Sequence, residues 1–137
     1  MLLNNYFNYV GLLFGKSAKM TNLAGRDGSI NSIINYTQKC LVGSGNRPAK
    51  VDDYALEEEI TGIDTTFNVN VSESGTKIVN IISNLTNNAV TISEVGIACF
   101  NSMPSERSSG YLMTRTVLDE PIVLEVGDVV VIETQFA

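Results

Sequence analysis

The sequence contains no histidine and no tryptophan, and it has only two cysteines and three prolines. Histidine is the side chain that most often serves as a general base near neutral pH, and it is the commonest metal ligand. The cysteines are too far apart for a C-x-x-C pair, which excludes the usual zinc and redox motifs. We therefore expect a protein that is not an enzyme and that holds no metal ion and no cofactor.

Positive charge is scarce as well. The 137 residues include 9 Lys and Arg against 15 Asp and Glu, which gives a net charge of -6. An acidic chain lacks the positive potential with which proteins attract nucleic acids and anionic membranes. We therefore expect neither a nucleic acid nor a membrane as a partner. Hydrophobic residues make up 44% of the chain, enough for a folded core.

The two cysteines, Cys40 and Cys99, leave two states open. A disulfide bond is feasible, but a single pair in a chain of this size is not a disulfide framework. Free cysteine is among the most buried side chains in proteins. Two buried free thiols are therefore the state that we expect.

The first fifteen residues are rich in apolar and aromatic side chains. They do not resemble a signal peptide, because the basic residues Lys16 and Lys19 follow the apolar run instead of preceding it. They are also shorter than the about 20 apolar residues of a transmembrane helix. The apolar side chains recur at helical spacing, so one face of a short helix either packs on its own domain or docks on another subunit. The candidate residues for a subunit or particle interface are Leu2, Leu3, Tyr6, Phe7, Val10, Leu13 and Phe14.

The C-terminal half alternates strand-like runs with turns. The runs are bounded by Gly, Asn, Asp or Pro, and the turn at residues 86–89 is predicted to close a tight hairpin. Regularly spaced short strands without long helical periodicity are typical of antiparallel sandwiches and barrels. The predicted strands are 67–71, 77–85, 90–100, 111–118, 122–126 and 129–136, with one or two more from residues 37–51.

These patterns predict an all-β fold, an antiparallel two-sheet β-sandwich of the jelly-roll or immunoglobulin-like type. We place the sandwich domain at residues 41–137 and an N-terminal arm, extended or helical, at residues 1–40. The runs 77–85 and 129–136 carry apolar side chains on both faces, which is more than the inner face of one sandwich buries. The surplus indicates contacts with other subunits.

Two charged features need an explanation. Arg115 lies within an apolar strand, and a buried arginine must be paired. It either meets Glu94 in a structural ion pair within the sheet, which we favour, or points to a subunit interface. The densest acidic cluster, residues 52–59, does not match the calcium loop of an EF-hand and is interpreted as a solvated face.

Two stretches of the chain resemble a family of small β-rich structural proteins of tailed bacteriophages. In the first, LVGSG at 41–45 and VDDYALE at 51–57 resemble the family pattern Gly-x-Gly … Asp-Tyr-x-Leu. In the second, TISEVGI at 91–97, YLMTRTVL at 111–118, Pro121 and LEVGD at 124–128 resemble its C-terminal half. The resemblance covers about residues 41–136. It implies a β-rich component of the virion, associated with the head, the neck or the tail, and no catalytic activity.

We therefore expect a structural protein of a bacteriophage virion, a head fibre, neck or tail component assembled in the cytoplasm of the bacterial host. Its expected partners are copies of itself and other virion proteins of the capsid, the portal and neck, or the tail, to which the N-terminal arm would attach it. The alternative is a host-receptor or carbohydrate-binding β-sandwich module. Its binding surface would be the loop 101–110 with Tyr111.

Overall fold

A computed structural model describes residues 1–30, 37–101 and 106–136 of the chain. One α-helix and eight β-strands are assigned in these ranges, and a single 3-10 turn at Arg107–Ser109 precedes β7. The elements are α1 (Asn4–Leu13), β1 (Ala18–Thr21), β2 (Asp27–Ile30), β3 (Thr37–Gly43), β4 (Ile63–Ser72), β5 (Gly75–Asn84), β6 (Val90–Phe100), β7 (Gly110–Leu124) and β8 (Val129–Phe136).

The strands form three antiparallel sheets. One sheet has the order β3-β6-β7, a second has the order β4-β5-β8, and β1 and β2 make a separate hairpin. The prediction of a mainly β fold with antiparallel sheets is confirmed. The predicted bounds of the strands 90–100 and 129–136 coincide with β6 and β8.

The two three-stranded sheets share a hydrophobic core. Alternation along each strand turns every second side chain towards this core, so β3, β5, β6 and β7 each contribute buried side chains to it. Thr65 of β4 also donates a 3.0 Å hydrogen bond from Oγ1 to the carbonyl oxygen of Cys40 in β3, which joins the two sheets along that side. The fully buried members of this core are Cys40, Val42, Ile82, Ile92, Val95 and Leu124.

The β3-β6-β7 sheet is covered on its other face too. There the side chains of Leu41, Ala98 and Phe100 pack under residues from the loops that follow β1 and β3. The loop after β3, residues 44–60, carries Leu56 into this second core. At the far end of the sheet, α1 and the β1–β2 hairpin cover a third group, which contains Cys99, Tyr111 and Met113.

The N-terminal segment is part of this fold, which corrects the prediction of an arm over residues 1–40. Leu3 is fully buried in the core beneath the loop 44–60, and its backbone N–H donates to Met113 O at 2.9 Å. Leu2 forms a β-bridge with Thr114, so the first residues lie along the edge of β7. The predicted domain boundary between residues 40 and 41 falls inside β3, which runs without interruption from Thr37 to Gly43.

The turn at residues 86–89 is not a hairpin turn. The strand before it, β5, pairs with β4 and β8, whereas the strand after it, β6, pairs with β3 and β7. The chain therefore crosses from one sheet to the other here. The Asn84 carboxamide organises the crossing, because its Nδ2 donates to Asn88 O at 2.9 Å and to Leu124 O at 3.0 Å.

Candidate functional site

The most unusual side chain in the molecule is a fully buried arginine. Arg115 of β7 lies opposite Gly96 of β6, and its guanidinium points to the face covered by the loop 44–60. Its Nε donates a 2.7 Å hydrogen bond to Glu94 Oε2, and neither side chain is exposed. The Glu94–Arg115 ion pair that the sequence predicts is therefore present within the sheet.

The Glu94 carboxylate also accepts hydrogen bonds from the backbone of the loop. Oε1 accepts from the N–H of Gly45 at 3.2 Å and of Glu58 at 2.8 Å, and Oε2 accepts from the N–H of Glu57 at 3.1 Å. Gly45 is required by this close approach, since a Cβ there would lie 2.7 Å from Glu94 Oε1. One side chain of the sheet thus fixes both ends of the loop.

Three further residues, Arg47, Asp53 and Glu57, join Glu94 and Arg115 in what we call the ion network. Asp53 accepts from Arg115 Nη1 at 2.8 Å through Oδ2 and from Arg47 Nη2 at 2.7 Å through Oδ1. Arg115 Nη2 donates to the Arg47 carbonyl oxygen at 2.9 Å. The acidic cluster at 52–59 is therefore not simply a solvated face, because the Asp53 side chain is only 8% exposed and Glu57 Oε2 accepts from the Arg47 N–H at 2.8 Å.

The network fixes the charges of Asp53 and Arg115. Burial raises the pKa of the Asp53 carboxyl, but hydrogen bonds from the Lys50 N–H, Arg47 and Arg115 outweigh it, so the pKa lies below its ordinary value. Burial lowers the pKa of the Arg115 guanidinium, but hydrogen bonds and opposite charge from Glu94 and Asp53 raise it above its ordinary value. Asp53 and Arg115 are therefore held as a permanent ion pair at neutral pH.

This arrangement suits a structural role. Each oxygen of Glu94 accepts at least two hydrogen bonds, and the three guanidinium nitrogens of Arg115 all donate to acceptors of the chain. A carboxylate held in this way has little capacity left for a substrate or a proton transfer. The network therefore joins the loop 44–60 to the sheet.

A cleft opens on the opposite side of the molecule. It lies between the β7 side of one sheet and the β8 side of the other, and it has two adjacent cavities of about 410 and 610 Å³. Both cavities are lined by Ile97, Thr114 and Gln135. We call the two cavities together the cleft.

The floor of the cleft contains an unsatisfied polar group. Asn80 of β5 is 0% exposed, and neither its Oδ1 nor its Nδ2 has a hydrogen-bond partner in the described part of the chain. A buried carboxamide without partners costs stability, and an orphaned group of this kind needs an explanation. Asn80 was not predicted as a site residue, and its only sequence signal is a polar residue amid an apolar strand.

The β4-β5-β8 sheet also has an exposed apolar area. Ile81 of β5 lies directly opposite Val131 of β8 on the face turned away from the core, and Val129 lies two residues along. These side chains are 39%, 54% and 59% exposed. We call this area the outer face.

The interface residues predicted near the N-terminus differ in how far they are buried. Leu3 is buried, while Leu2, Tyr6 and Val10 are partly buried. The exposed members are Phe7 (55%), Leu13 (59%) and Phe14 (80%). These three are the part of the predicted surface that remains open to a partner.

The face of α1 that packs on the fold is not the apolar face predicted from the sequence. Leu12 and Asn5 are its buried residues. Asn5 is buried because its side chain binds the backbone of Thr21, donating from Nδ2 to the carbonyl oxygen at 2.7 Å and accepting from the N–H at 3.1 Å. These two bonds to β1 select the helix orientation that leaves Phe7 exposed.

Other sequence candidates are placed as follows. Cys40 and Cys99 are free and buried, as predicted, and burial raises the pKa of their thiols to about 12 and about 11. Tyr111 is only 6% exposed, so it cannot be the exposed aromatic of a glycan site. Residues 102–105 of the loop 101–110 lie outside the described residues.

Within the described ranges, no group of three or more acidic, Cys or His side chains is arranged to hold a metal ion. The same ranges contain no helix of the length and hydropathy needed to cross a bilayer. Compared with known proteins, the chain matches no family model, no curated protein and no solved structure. The resemblance to phage structural proteins therefore remains a prediction from the sequence.

Proposed function

We propose that this chain is a structural component of a bacteriophage virion that assembles with copies of itself. The proposal includes a β-sandwich of the jelly-roll or immunoglobulin-like type for the two three-stranded sheets. It rests on the resemblance of residues 41–136 to small β-rich virion proteins. It also rests on the surfaces that the fold leaves uncovered.

The observation that carries the proposal is the outer face. Large apolar side chains on a regular sheet are favourable only when another surface removes them from water, at about 25 cal/mol per Å². Ile81 and Val131 form a cross-strand pair in which both side chains remain exposed, and Val129 extends the same row. Contiguous exposed apolar surface of this kind marks interaction sites in soluble proteins.

A second exposed group supports attachment to a larger particle. Phe7, Leu13 and Phe14 project from α1 and from the residue that follows it. The helix itself is held to the fold by Leu12 and by the side chain of Asn5. This part of the predicted arm therefore presents aromatic side chains on a fixed support, which lowers the entropy lost on docking.

The test is the mass of the protein in solution as a function of concentration, measured by analytical ultracentrifugation. Wild-type protein is expected to self-associate, and Val131→Lys is expected to weaken association at least about tenfold, because a charge buried without a partner is costly. Val123→Lys is the matched control, since Val123 is a strand valine with similar exposure, 60%, outside the outer face.

The particle assignment needs its own measurement. Mass spectrometry of purified phage particles that encode this chain is expected to detect it in a fixed copy ratio to the major capsid protein. A protein that stays monomeric at all concentrations, or one that is missing from the particles, would contradict the proposal.

A further inference from the structure

The cleft and the end of the β4–β5 hairpin both present apolar side chains that the described residues leave uncovered. In β4, Val69 and Val71 belong to the row that faces the core side, because they lie opposite Ile78 and Thr76 of β5. They are nevertheless 47% and 78% exposed. At the end of this hairpin, the described residues therefore leave much of Val69 and most of Val71 uncovered.

The cleft begins directly beside this hairpin end. Thr76 and Ile78, the cross-strand neighbours of the two valines, line the larger cavity. The opposite wall is apolar and includes Ile97 and Met113. An exposed valine pair and an unfilled apolar cavity thus lie next to each other on one surface.

We propose that the cleft receives the β4–β5 hairpin end, residues 69–76, of a second copy of this chain. Val69 and Val71 of the second copy cover the apolar wall formed by Ile97 and Met113. This inference rests on the proposed self-association and identifies a contact distinct from the outer face.

The geometry favours a reciprocal contact. Because the hairpin end and the cleft are neighbours on one surface, a two-fold axis close to both can place each hairpin end in the other copy's cleft. Such an isologous arrangement closes on itself and satisfies both surfaces at once. Among the described residues that line the cleft, Glu133 carries the one charged side chain, and it is already paired with Lys77 at 3.0 Å.

The first experiment compares Val71→Lys with Val123→Lys by analytical ultracentrifugation. Both valines are exposed strand residues, so neither substitution disturbs the core. Val71→Lys is expected to lower the association constant at least about tenfold, because it would place an unpaired charge in an apolar cavity. Val123→Lys is expected to behave as wild type.

The outcomes separate this inference from the proposed function. If Val71→Lys associates like wild type while Val131→Lys does not, the hairpin contact is wrong and self-association through the outer face stands. If wild-type protein does not associate at any concentration, both are wrong.

The second experiment locates the contact by crosslinking. Unlabelled Val71→Cys protein is mixed with ¹⁵N-labelled Gln135→Cys protein under mild oxidation, since Gln135 lines both cavities of the cleft. A mixed disulfide dimer is expected in much higher yield than for Val123→Cys mixed with Gln135→Cys. Equal yields from the two mixtures would overturn the inference.

Discussion

Arg115 and Glu94 form a 2.7 Å ion pair in which neither side chain is exposed. The pair lies between neighbouring strands, but most of its remaining hydrogen bonds go to the loop 44–60. A buried pair of this kind contributes little net free energy compared with apolar residues, yet removing one member leaves the other charge buried and uncompensated. Its role is to select one conformation of the loop.

Arg115→Met is therefore expected to lower the free energy of unfolding by about 3–5 kcal/mol, because Glu94 would stay buried without its cation. Lys77→Met is the control, since it breaks the exposed Lys77–Glu133 pair and is expected to cost less than about 1 kcal/mol. Urea denaturation measures both. The double variant Glu94→Leu/Arg115→Met is expected to be more stable than Arg115→Met alone. If the double variant instead loses the sum of the unfolding free energies lost by the two single variants, this account is contradicted.

Asp53 gives the network a defined pH dependence. The pKa of Asp53 in the folded protein lies below its ordinary value, so its contribution to stability is fully present above about pH 4 and is lost as the pH falls through the folded pKa. Asp53→Asn is expected to be less stable than wild type at pH 7, with the difference shrinking below about pH 4. The check is a series of urea denaturation curves between pH 2 and 7.

The control for this measurement is Asp52→Asn, because Asp52 is the exposed neighbour in sequence. Its unfolding free energy is expected to follow that of the wild type across the series. A difference between Asp53→Asn and wild type that does not change with pH would show that the charge of Asp53 is irrelevant to stability.

Asn80 and Asn84 provide a matched pair of buried asparagines. Both are 0% exposed on β5, but Asn84 makes several hydrogen bonds and Asn80 makes none. Asn80→Leu is expected to raise the free energy of unfolding of the monomer by about 1–3 kcal/mol, because it removes an unsatisfied buried group. Asn84→Leu is expected to lower it by a similar or larger amount.

Thermal and urea denaturation at a concentration where the protein is monomeric measures these effects. Destabilisation by Asn80→Leu comparable to that by Asn84→Leu would mean that the Asn80 carboxamide is satisfied in solution, for example by a buried water molecule.

The sequence predicted the strand bounds best where turn residues flank an apolar run. The bounds of β6 and β8 follow from apolar runs set off by turn residues, and the Glu94–Arg115 pair follows from the cost of an unpaired buried charge. The turn at 86–89 was assigned wrongly because hairpins and crossings between sheets use the same polar residues. Only the pairing of β5 and β6 with different sheets distinguishes the two.

The sequence alone did not allow the orientation of α1 or the full ion network to be predicted. The face of α1 is decided by two hydrogen bonds from Asn5 to Thr21, a tertiary contact that hydrophobic periodicity does not contain. Asp53 and Arg47 reach Arg115 only because the loop 44–60 folds over the sheet. The distance of more than 60 residues between Asp53 and Arg115 gives no local signal.

The backbone pairing of Leu3 with Met113 has a kinetic consequence. A strand partner so distant in the sequence becomes available only after the ribosome has synthesised β7, so the edge of this sheet forms late. Until then Leu3 lacks its burial site, and the nascent chain exposes the apolar segment around it. We therefore expect the closure of that long-range contact to limit the folding rate.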